Sequence, residues 1–419
     1  MNDAKQRLLD ATHARDAEAL AALLDSDVDV ATLINEPISY FGGRALHAAV
    51  GHRPTLDVLL DRGADPNLPS AWSEGPFTVL DSADEATARH LMERGATLTP
   101  HVAARLGWIN ELTALLDADP RRVNERGGDG KRPLHWAGTI AVAYLLLDRL
   151  ADIDARCTDH VSTPVQYLVK DHPDVARHLL ERGATPDIFA TAHLGDLDRT
   201  RQQLKENPNV ANHRVGHDGY NRVPSCTMYQ WIFAYGQSPL DLAAQQPEML
   251  ALLSEHANEK TRFLAAVCRG DREATAVADA PPLEPADHAL LGDAIRRGDT
   301  DAVRLMLKLG FDPTRNYRGL DDGTALHVAA WCGQPEILRL LLNDGRGDLE
   351  LRDPTHGATV LSWACHGSVF CRRDDPVYVE VVKMLIDAGA KIDIPAHAGG
   401  STLHDQAAGR PDVQAALKA

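Results

Sequence analysis

The 419-residue chain sets 43 Lys and Arg against 60 Asp and Glu, a formal net charge of −17, with 44% hydrophobic and 25% charged residues. That balance describes a folded, water-facing protein, and it argues against a nucleic-acid partner, because phosphate contacts need clustered Lys and Arg and no basic run occurs. The longest purely apolar run, Ile140 to Leu147, is too short to cross a bilayer.

The opening stretch, MNDAKQRLLDATHARD, is amphipathic and lacks the apolar core of a secretory signal. Six scattered cysteines (Cys157, Cys226, Cys268, Cys332, Cys365 and Cys371) form no CxxC pair, which points to reduced thiols and a cytoplasmic address. In chain order, helix pairs are predicted weakly over 6–27 and clearly over 43–67 (GRALHAAVGHRPTLDVLLDRGADPN). A unit shortened near Asp84 follows, then pairs over 103–120, 131–154, 162–187 and 190–208. Further pairs follow over 237–257, 263–282, 294–313, 323–345 and 357–393, and a last one over 400–419. The units around Asp84, Gly138 and Gln245 align with the others only if about three residues are missing between their helices.

Recurring anchors explain each unit physically. A Thr or Ser before the first Leu caps the first helix, and Pro suits its first turn. Small Ala pairs let two helices approach, a Leu pair faces the next unit, and Gly after the second helix supplies a left-handed cap. One such unit cannot bury its own apolar face, so units must stack.

Recurring in register, these anchors resemble the ankyrin repeat. The resemblance implies an all-α solenoid of about thirteen helix-turn-helix repeats with hairpin fingers. It divides into N-terminal repeats over 1–187 and C-terminal repeats over 188–419, the latter with inserted loops at about 220–236 and 368–378. The blocks RVGHDGY…YQW…GQSP, DDGTALHVAAWCG and LELRDPTHGATVLSWACHGS are also similar to a group of bacterial stand-alone ankyrin-repeat proteins. That likeness runs over about residues 188–390 and implies the fold without an established activity.

Candidate chemistry concentrates where the repeat is interrupted. Five of the seventeen residues from Tyr220 to Gly236 are aromatic, against 5% in the chain, so the segment must either plug a groove or wall a pocket. His217, Asp218, Tyr229 and His366 are the candidate acid–base groups, since burial and a carboxylate neighbour tune imidazole near neutrality. Tyr220, Trp231, Trp331, Trp363, Trp136 and Arg222 are candidate ligand contacts, the indoles lying on or near inner helices that border the concave face. Each indole could instead fill space beside small neighbours, and a His-Asp pair at a turn could be structural.

His47, His135, His327 and His404, in the TPLH-like blocks, are expected to be structural. No metal signature, phosphate loop or nucleophile elbow appears, so no metal or cofactor is expected. The reading favoured is a cytoplasmic binding protein whose concave groove takes a protein or a small polar ligand, with no nucleic acid or membrane partner. The alternative is a metal-independent lyase, isomerase or hydrolase acting on a small polar metabolite beneath the aromatic loop.

Overall fold

The computed structural model describes residues 3–216, 228–273, 275, 280–317, 323–372, 375–398 and 400–418. Among these residues the secondary structure is entirely helical, and the helices come in the short antiparallel pairs that the repeat demands. The chain divides into two compact units, one holding residues 1–186 with 224–228 and the other 187–223 with 229–419. Each is a stack of helix pairs, and in the second a contiguous core runs from Phe263 to Leu417.

The repeat anchors do what their chemistry dictates. Leu59, Leu91, Leu146, Leu179 and Leu338, from second helices along the chain, are fully buried. Just past second helices, Gly63, Gly95, Gly183 and Gly310 take φ of 88°, 97°, 100° and 90°, and Gly107, Gly195 and Gly298 close first helices in the same way with φ of 72°, 74° and 71°, a region costly to any residue with a Cβ. Where residues are missing, first helices shrink. Residues 79–82 form only turns, Pro133–Trp136 is a 3-10 segment, and Pro239–Leu242 is a single turn. Ala325–Trp331, in a full-length unit, has seven residues.

Three of the four TPLH-type histidines tie each repeat to its successor. In His47, His135 and His327, Nδ1 accepts from the backbone N–H that precedes the helix (Arg44, Arg132, Thr324). Nε2 then donates to a carbonyl of the next finger, Phe77, Ser162 or Leu351, at 3.0–3.1 Å. His404 departs from this expectation. STLH has no residue between Thr402 and Leu403, so Asp405 occupies the third helical position and caps Thr402 instead.

The fingers are turns closed by backbone bonds; no strand forms among the described residues. Gly127 N–H bonds Lys131 O, Cys157 bonds Ser162, and Asp353 bonds Ala358. Val215 N–H likewise bonds Gln237 O at 2.8 Å, and Gly236 N–H bonds back to Val215 O, so the same closure encloses residues 216–236. The aromatic-rich segment therefore grows from a finger whose base is intact. The second interruption is partly helical, since its first residues lengthen a first helix to Val360–Phe370, eleven residues. In the first unit, neighbouring fingertips are also bonded: Ala71 N–H to Gly42 O, Asp129 N–H to Gly75 O, and Thr158 N–H to Asp129 O.

Candidate functional site

In the second unit, the stacking of consecutive repeats brings candidate residues together. Trp331 ends the Ala325–Trp331 helix, and Trp363 lies in Val360–Phe370, the first helix of the next repeat. Their ring centres are 6.2 Å apart, edge to face. His366, one turn beyond Trp363, lies 5.5 Å from Trp331, and Phe370, one turn further, lies 4.4 Å from His366. The four rings form a row graded from buried Trp363 to Phe370, which is 56% exposed.

Trp363 anchors the buried end. Its indole N–H donates to Asp353 Oδ2 at 3.0 Å, and the ring meets His327 edge-on at 5.2 Å. Burial works to raise the Asp353 carboxyl, yet hydrogen bonds from the His356 and Ala358 N–H groups and from Trp363 hold it below the usual range. Burial, followed by the charge of His356, pulls the His366 imidazole down to about 4, with His397 adding to this and a hydrogen bond to Gln406 opposing it. At neutral pH His366 is thus an uncharged ring and a weak base, better suited to contact than to proton abstraction.

Of the aromatic segment's candidates, Tyr229 is buried and Trp231 is 63% exposed. The Tyr229 hydroxyl donates to Asp187 Oδ2 at 2.7 Å, and its ring packs on Phe189 and Phe233. Asp187 also caps the following helix by accepting from Phe189 and Ala190 N–H, so this carboxylate serves helix and tyrosine together. Tyr235, buried as well, lies under Gly216, where a Cβ would sit 2.8 Å from its ring. Part of the segment is thus a plug. His217, Asp218, Tyr220 and Arg222 lie outside the described residues.

Trp136 belongs to the first unit, in a constellation that sequence reasoning missed. Lys131 Nζ stands 3.9 Å over the Trp136 ring, 5.2 Å from Tyr167 and 5.8 Å from Phe77, with Asp129 Oδ2 at 3.2 Å. Burial lowers the Lys131 ammonium from its ordinary value, and the Asp129 charge opposes this. The finger GGDG at 127–130 makes the box possible: a Cβ at Gly128 would lie 2.3 Å from the Phe77 ring. Beside it, Asp129, Asp159 and His160 place ligand-type atoms within 4.8 Å of one another. Lys131 already offsets the Asp129 charge there. The one sequence signal was Lys131, two residues before Pro133-Leu134-His135, at the position where GRALH and GTALH have glycine.

Among the described residues no helix is long and apolar enough to cross a membrane. The family model for ankyrin repeats matches residues 290–396 as three copies. The chain is also similar to "Protein PhlB" of Serratia liquefaciens, 33% identical over 136 residues, which make up 32% of this chain and 48% of that protein. Similarity to a "Transient receptor potential cation channel subfamily A member 1 homolog" of Caenorhabditis elegans reaches 26% over 192 residues, 44% of this chain but 13% of the channel. The chain thus spans less than half the length of either relative. Stacked helix pairs, turn fingers, bridging histidines and the family match lead to one conclusion: residues 290–396 are ankyrin repeats, set in an all-helical array of the same kind of helix pairs.

Proposed function

We propose that the second unit is a protein-docking scaffold and that the ring row Trp363, Trp331, His366 and Phe370 is its contact surface. The carrying observation is the graded exposure of that row, which leaves Phe370 in water at the end of a helix longer than its counterparts. Anchors of this kind, fixed at one end and open at the other, concentrate binding energy at interfaces. Ankyrin repeats generally mediate protein interactions, and the net charge of −17 favours a basic or neutral partner. A Lys, Arg or aliphatic side chain fits the ring faces. Trp231, exposed on the other interruption, is a second anchor.

The test places a photo-crosslinking amino acid at position 370 of the full chain and, as a control, at exposed Tyr144 in the first unit. The docking reading expects a defined partner captured from 370, not from 144, and lost when Trp331→Ala is added. Equal capture from both positions, or capture indifferent to Trp331→Ala, overturns it. Shifts of tryptophan fluorescence with small polar metabolites, and none with protein, would move the assignment to a ligand site.

A further inference from the structure

The same crossing of helices carries a second chemistry that docking does not use. Gly367 lets the Val360–Phe370 helix lie directly on the end of Ala325–Trp331; a Cβ there would fall 2.5 Å from Trp331 O. The next residue after Trp331 is Cys332, and one turn after Gly367 comes Cys371, whose N–H bonds Gly367 O at 2.9 Å. Each cysteine caps its helix, and the close crossing at Gly367 brings the two thiols near enough to influence each other. Tyr378 closes the third side, donating its hydroxyl to Trp331 O and touching Cys371. Its ring lies against Gly333, where a Cβ would sit 3.2 Å from Cζ.

The two thiols are unequal. Cys371 is exposed and Cys332 buried. The hydrogen bond from Cys332 draws the Cys371 thiol down to about 6; burial opposes this, while Tyr378 and Arg372 add to it. Cys332 is pushed up by the same partner and by burial, as Cys365 is pushed to about 12 by burial alone. An accessible thiolate beside a protonated reserve thiol is the arrangement of a redox-responsive pair.

We propose that Cys371 and Cys332 form a peroxide-reactive dithiol, in which Cys371 is oxidised first and Cys332 resolves it to an internal disulfide. The oxidant is a hydroperoxide. The Cys371 thiolate attacks its terminal oxygen; the S–O bond forms, the O–O bond breaks, and the leaving oxygen takes a proton as water or alcohol. Cys332 sulfur then attacks Cys371 sulfur, the S–S bond forms, and the S–O bond breaks. The departing hydroxide takes the Cys332 proton as water. Two electrons pass from the sulfurs to the peroxide. The product joins two successive first helices beside Phe370.

The reduced full chain is treated with hydrogen peroxide, free thiols are alkylated, and peptides are read by mass spectrometry. The expected product is a Cys332–Cys371 linked peptide lacking two hydrogens, with Cys268 and Cys365 still alkylated. In Cys332→Ser, Cys371 accumulates as a sulfenic acid trapped by dimedone, and in Cys371→Ser neither product forms. At pH 7, Cys371 also reacts with iodoacetamide about ten-fold faster than an ordinary exposed thiol. Circular dichroism of both variants verifies folding. The proposal is overturned if Cys371 reacts no faster than that, if it pairs with Cys226 or a second chain, or if Cys332→Ser traps no sulfenic acid.

Discussion

The two units each place a tryptophan four residues after the cap of a first helix, Trp136 and Trp363, and they treat the two differently. Trp136 is covered by the chain's own ammonium, with Tyr167, Phe77 and Asp129 completing the enclosure. Trp331 and Trp363 face each other, an uncharged imidazole and a phenyl ring that ends in water. The same repeat position therefore closes a box in one unit and roots an open row of rings in the other. What differs is the residue just before the helix cap: Lys131 in the first case, Ala358 in the second.

Acid sharpens the comparison most. His135 and His366 are each lowered from 6.5 to about 4, His135 by burial first and His366 likewise. Both stay neutral in the fold while the unfolded chain takes up a proton below 6.5. Stability is therefore complete above that pH and drains away between 6.5 and 4, by roughly 3 kcal/mol for each fully shifted imidazole. Urea midpoints at pH 7.5, 5.5 and 4.5 should fall steadily, and His135→Gln should flatten about half of that loss. A midpoint unchanged between 7.5 and 4.5 would sink the assignment.

Next comes the enclosed lysine. Lys131→Ala leaves Asp129 without its partner and Trp136 beside a void, and should cost about 3 kcal/mol. Lys131→Met, which keeps the volume, should cost less than about 1.5 kcal/mol. Equal effects of the two, read by urea denaturation at pH 7.5, would show that the charge, and not the filled volume, holds the box together.

Tyr229→Phe tests whether the described part of the aromatic segment is a plug. Removing one hydrogen bond to a carboxylate that keeps its backbone partners should lower stability by about 1–2 kcal/mol. No change would mean that the Asp187 contact does not hold the segment down. The smallest effect belongs to the open end of the ring row: Phe370→Ala should alter stability by under about 0.5 kcal/mol, because the side chain is already in water. A larger loss would make Phe370 a packing residue and remove the basis for docking.

The repeat was legible in the sequence because its anchors are local: a cap, a Pro, a Leu pair and a Gly within about thirty residues. Trp331 and His366 could be paired for the same reason: both stand seven residues after their caps, Thr324 and Thr359, so that stacking brings them together. The Lys131 box was not legible. Phe77, Asp129 and Tyr167 reach it from three different fingers or helices, and the shortened units between them shift the spacing that a regular period would predict. Cys332 and Cys371 were read singly, since only the close approach at Gly367 makes them neighbours. His404 misled through a one-residue omission that moves the capping role to Asp405.

The bonds between fingertips of the first unit give that edge a mechanical character. Gly42 to Ala71 and Gly75 to Asp129 join neighbouring fingers through single backbone hydrogen bonds, and Asp129 O accepts from both Thr158 and Asp159 N–H. Tension along the row loads those links in series, so the edge yields one link at a time, each rupture lengthening it by a small step. The helices behind, joined by broad apolar contact, keep their hold while it does so. Such an edge behaves as a row of weak fuses in front of a stiff spring, giving way reversibly before any helix pair is drawn out.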